Sequence, residues 1–177
     1  LKFSAYGESR HTHFVALEDG LYLAAGGTCR VFDPATGQLV NTFTFNAAGA
    51  MTVKGLRVDG EVILVVCSDV QKRDMSGESY WSVGYYEAST LVCLDRKTGR
   101  ELWRREAQAA FREPGIALGA GRVFGVDSRS GLAPGQTNAP NENVSTILAL
   151  DARTGQDAWS QRTAYPAAAP PSPAEWI

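Results

Sequence analysis

A fifteen-residue segment occurs twice in this chain, and the duplication decides what the chain can fold into. Residues 89–103 read STLVCLDRKTGRELW and residues 145–159 read STILALDARTGQDAW, each position offset by 56 residues (151 − 95 for the aspartates). A weaker copy lies earlier, TCRVFDPATGQLVNTF. There Asp33, Thr36 and Gly37 keep the spacing, Val40 and Asn41 stand where the aromatic would come, and Phe43 is the nearest ring. Tandem copies of one unit must stack on their own kind, because a single unit cannot bury its apolar face alone.

Each copy is preceded by the same grammar. A small turn (Asp19-Gly20, Asp59-Gly60, Ala120-Gly121) leads into a β-prone run, LYLAA, EVILVVC or RVFGV. These runs are too short for typical helices and are bounded by Gly and Asp, so they read as strands. A short apolar strand is expected before each turn, at Phe14 to Leu17, Gly55 to Val58 and Gly115 to Leu118. A fourth is expected after each D-x-x-T-G, at Gln38 to Phe45, Arg100 to Arg105 and Gln156 to Arg162. Leu91 to Leu94 form a continuous apolar run ending at a turn, without the three-and-four spacing of a helix. Four antiparallel strands recurring about every 60 residues predict an all-β chain of propeller blades. Three blades are expected, near residues 11–45, 53–106 and 114–163. The Ala/Pro-rich stretch 164–177 reads as a linker or the start of a further blade. Closed propellers use about 4 to 8 blades, so the expectation is an incomplete propeller.

The recurring motif makes sense as the turn between a blade's last two strands. The carboxylates of Asp33, Asp95 and Asp151 can accept the backbone N–H groups that follow, and Thr36, Thr98 and Thr154 add a hydroxyl. Gly37, Gly99 and Gly155 supply a positive φ for the fold-back. Trp103 and Trp159, four residues on, are expected to wedge between adjacent blades. Asp in a short turn before Gly is far more often a turn former than a catalyst or calcium ligand, and its occurrence once per repeat reinforces the framework reading.

Seventeen basic and nineteen acidic residues give a net charge of −2 without a long like-charge block, which argues against nucleic-acid binding. The longest uninterrupted apolar stretch, Val62 to Cys67, is far short of the roughly 20 residues of a membrane-spanning helix, so no transmembrane segment is expected. Cys29, Cys67 and Cys93 are far apart and read as buried thiols, with one disulfide plus a leftover thiol as the alternative. The chain begins at Leu1 without a signal-like segment, so either a signal has been removed or the chain is an excerpt, and the repeats favour the excerpt.

The segment Ala149 to Trp159, ALDARTGQDAW, resembles the tryptophan-docking motif of pyrroloquinoline-quinone-like β-propeller repeats; Cys93 replaces its Ala in the middle copy. The resemblance spans nearly all of residues 11–163 in strand order. It implies a propeller fold and, by family habit, a periplasmic or cell-envelope location. The family includes quinone-dependent alcohol dehydrogenases, which hold the cofactor with neighbouring cysteines, a Trp platform and a calcium site, and non-catalytic members such as an outer-membrane assembly lipoprotein. This chain has no neighbouring cysteines, and none of the dehydrogenase residues can be matched in it. No cofactor is evident from its own residues; pyrroloquinoline quinone is implied by the resemblance alone.

The leading reading is therefore a non-catalytic scaffold that contacts further blades, another domain or a protein partner. The alternatives are a fragment of a quinone-dependent dehydrogenase and a ligand- or carbohydrate-sensing propeller. For the last, the loop from Ser68 to Ala88 offers Lys72, Arg73, Tyr80, Trp81, Tyr85 and Tyr86, suited either to recognition or to packing on its own blade. A second long loop, Ser128 to Asn143, is expected on the same face. His11 and His13 share one strand face at a spacing that suits a metal, but no third ligand is evident, and paired surface or channel histidines are commoner. The sequon Asn143-Val144-Ser145 is set aside as a chance match.

Overall fold

The computed structural model describes residues 13–46, 51–69, 87–128 and 143–165. These residues form twelve strands: β1 (His13–Leu17), β2 (Gly20–Ala25), β3 (Thr28–Phe32), β4 (Leu39–Thr44), β5 (Met51–Asp59), β6 (Val62–Asp69), β7 (Glu87–Asp95), β8 (Glu101–Arg112), β9 (Ala117–Gly119), β10 (Arg122–Asp127), β11 (Asn143–Asp151) and β12 (Asp157–Tyr165). They make three antiparallel up-and-down meanders, β1–β4, β5–β8 and β9–β12, each strand paired with its neighbour in sequence. The sheets are open, as an all-β partial propeller requires. The second and third meanders are joined by one bridge, Asp127 to Phe111.

Burial follows from stacking. The middle meander is covered on both sides, so its central strands β6 and β7 read as unbroken apolar runs rather than alternating ones. Ile63, Val65, Cys67, Val92 and Leu94 face the first meander and pack with Tyr22, Ala24, Cys29, Val31 and Phe43. Leu64, Val66, Leu91 and Cys93 face the third and pack with Val123, Leu148 and Leu150. Each Val, Leu, Ile or Phe among them removed from water contributes about 1.5–3 kcal/mol, so these two seams hold the stack together. The first meander alternates along β2, with Tyr22 and Ala24 buried and Leu21 and Leu23 partly covered, because among the described residues no sheet covers its outer side.

Three expectations change. Gly115 to Leu118 is not one strand: Glu113–Gly115 form a single 3-10 turn, since Pro114 fixes φ and cannot donate to a ladder, and β9 begins only at Ala117. β8 continues to Arg112 rather than ending near Arg105. Its extra length follows a bulge between Ala88 and Thr90, where the buried Asp127 carboxylate accepts the N–H groups of Gln108 (2.7 Å), Ala109 (2.9 Å) and Ala110 (3.0 Å). Of these three amides only that of Ala110 belongs to a buried residue, where an unmet N–H would be costly. β12 likewise runs to Tyr165, beyond the expected strand end at Arg162.

Candidate functional site

Antiparallel alternation puts the β1–β2, β3–β4, β5–β6, β7–β8, β9–β10 and β11–β12 turns at one end of the stack. Here the three motif copies adopt the same geometry. Oδ1 of Asp33 accepts from the N–H of Ala35 (2.9 Å) and Thr36 (2.7 Å) and from the Thr36 hydroxyl (2.9 Å). Oδ1 of Asp95 accepts from Lys97 N–H (3.2 Å), Thr98 N–H (2.8 Å) and the Thr98 hydroxyl (2.8 Å). Oδ1 of Asp151 accepts from Arg153 N–H (3.0 Å), Thr154 N–H (3.0 Å) and the Thr154 hydroxyl (3.1 Å). Each carboxyl is held below the ordinary Asp value, chiefly by the Thr36 backbone N–H at Asp33, the Thr98 hydroxyl at Asp95 and the Thr154 backbone N–H at Asp151. Carboxylates locked in their charged form by their own turns are poor proton shuttles.

Gly37, Gly99 and Gly155 all stand near φ +70°. At two of them the absent Cβ makes room for a ring from the preceding meander. A Cβ on Gly99 would lie 2.0 Å from Phe43, and one on Gly155 would lie 2.7 Å from Trp103. The Trp103 indole N–H also donates to Ala152 O (2.9 Å), and Cys93 Sγ lies 3.2 Å from the same oxygen. Phe43 thus fills in the first copy the place Trp103 takes in the second. It is two residues beyond Asn41 and so on the same strand face. Trp159 departs from the expected wedge: it is 48% exposed with the Phe124 ring 6.4 Å from its own, and among the described residues no meander follows to receive it.

A groove of about 510 Å³ opens between these turns, lined by Asp19, Tyr22, Glu61, Arg96, Lys97 and Arg153 among others. Arg96 is its keystone. Its guanidinium donates to both carboxylate oxygens of Asp19 (2.5 and 2.6 Å), to the Tyr22 hydroxyl (2.9 Å) and to Gly60 O (2.8 Å), bridging the first and second meanders. Arg153 pairs with Glu61 and Arg105 with Asp157, each pair bridging the second and third. Acids and bases balance across the groove, and each of the three guanidinium nitrogens of Arg96 is engaged. The arrangement clamps the meanders together through cross-meander ion pairs.

Sequence reading missed these cross-meander pairs. The available signal was Arg96 immediately after a motif Asp and Arg153 two places after another, cations projecting from turns that stack beside each other. It also missed the link between the inner strands: Arg57 on β5 donates to Glu113 Oε1 (2.7 Å), a partly buried ion pair beside the 3-10 turn.

The remaining candidates fall as follows. His13 opens β1, and burial, opposed by Glu113, holds its pKa below the ordinary value and favours neutral imidazole. Among the described residues no group of three or more His, Cys, Asp or Glu is placed to hold a metal ion. His11 and the loop residues Lys72, Arg73, Tyr80, Trp81, Tyr85 and Tyr86 lie outside the described residues. Cys29, Cys67 and Cys93 are free, buried thiols. No helix among the described residues is long and apolar enough to cross a membrane.

Stacked four-stranded meanders with an aromatic-on-glycine joint define a β-propeller segment of the pyrroloquinoline-quinone-like repeat class. The family model described as outer membrane protein assembly factor BamB matches residues 25–175, and the chain belongs to that family. Among solved structures, the quinohemoprotein alcohol dehydrogenase ADHIIG from Pseudomonas putida HK5 superposes with a TM-score of 0.53 at 14% identity, over 85% of this chain and 26% of that one. Kluyveromyces lactis Hsv2 also matches, at a TM-score of 0.47 and 8% identity over 86% of this chain and 36% of that one. The first likeness is one of fold, and the chain spans about a quarter of the dehydrogenase's length. No curated protein sequence matches the chain. The described residues do not fit a quinone site: the three thiols are buried apart, and the motif carboxylates are bound by their own turns.

Proposed function

We propose that this chain is a non-catalytic scaffold, a rigid run of propeller blades that holds further blades or a protein partner in place within the bacterial cell envelope. The observation that carries this reading is the use of the recurring side chains. Each motif Asp and Thr closes its own turn, and Phe43 and Trp103 join one meander to the next. Residues so engaged build a platform, and the family's description as an assembly factor supports a role in protein contact. The structure of the joints, not a reactive centre, is then the selected property.

The test uses the full-length protein with pyrroloquinoline quinone and calcium. Equilibrium binding and dye-linked oxidation of alcohols or sugars should both be absent, while cross-linking in intact cells should capture an envelope protein. Quinone binding together with turnover would overturn the scaffold reading in favour of a dehydrogenase fragment.

A further inference from the structure

We draw no further inference here: the strongest candidate, the groove between the turns lined by Asp19, Glu61, Arg96, Lys97 and Arg153, belongs to the site already described, its arginines are held by Asp19 and Glu61 across the meanders, and nothing in the structure shows what would occupy it.

Discussion

Trp103 donates its indole N–H to the carbonyl oxygen of Ala152 at 2.9 Å while its ring lies over Gly155, so one side chain of the second meander fixes both the height and the approach of the third. The hydrogen bond prevents sliding along the strands, and the missing Cβ lets the ring reach the turn backbone. Phe43 over Gly99 repeats the packing without the hydrogen bond.

The three motif glycines separate backbone conformation from packing. All share a φ near +70°, yet only Gly99 and Gly155 carry a ring. Gly37→Ala should cost about 1–2 kcal/mol, the left-handed penalty alone. Gly99→Ala and Gly155→Ala should add roughly 1–3 kcal/mol of overpacking to that penalty. Chemical denaturation of the three variants measures the difference, and equal losses would mean that the rings do not seat on the glycines.

Arg96 should not tolerate lysine. It joins Asp19, Tyr22 and Gly60 through separate donors on one planar group, which a single ammonium cannot reproduce. Asp19 is well exposed and screened by water, so the loss is modest. Arg96→Ala should destabilise by about 1–2 kcal/mol, and Arg96→Lys should recover less than half of it. Thermal melts of both variants at low and high salt check the claim, and full rescue by lysine would reduce the contact to simple charge pairing.

How much of this could be read in advance follows from the range of each interaction. The turns were legible because Asp95, Thr98 and Gly99 act on one another within five residues. The middle meander was legible because Val62 to Cys67 must be apolar on both faces. The end of β8 was not, because its path depends on Asp127, which is distant in sequence and buried only once β10 lies alongside. The Gly115 to Leu118 segment departs from a single strand because Pro114 turns the chain through a 3-10 turn before β9 begins at Ala117. Phe43 could be noticed as the nearest ring, but its joint with Gly99 required the stacking of two meanders.

The cysteines should be chemically silent in the native protein. Burial pushes the thiols of Cys29, Cys67 and Cys93 up to about 12, so the thiolate is scarce at neutral pH, and none has solvent access. Titration with a thiol-reactive disulfide should label none of the three in native buffer and all three in denaturant. Rapid native labelling would show that a seam between meanders opens.

Acid should weaken the turns in a defined direction. Asp33, Asp95 and Asp151 have folded pKa values below the ordinary 3.8, because hydrogen bonds from their own turns favour the charged form. The stability they contribute is therefore fully present above that ordinary value and is lost as the pH falls through the lower folded values. Asn at the same positions keeps an acceptor oxygen for the turn but cannot titrate. The triple variant Asp33→Asn, Asp95→Asn, Asp151→Asn should melt below the wild type at neutral pH, and the gap should narrow as the pH drops below about 4. Melting temperatures followed by circular dichroism from about pH 7 to about pH 2 give the readout. A gap that stays constant across that range would mean that the carboxylates contribute geometry alone and that their charge is irrelevant to the turns.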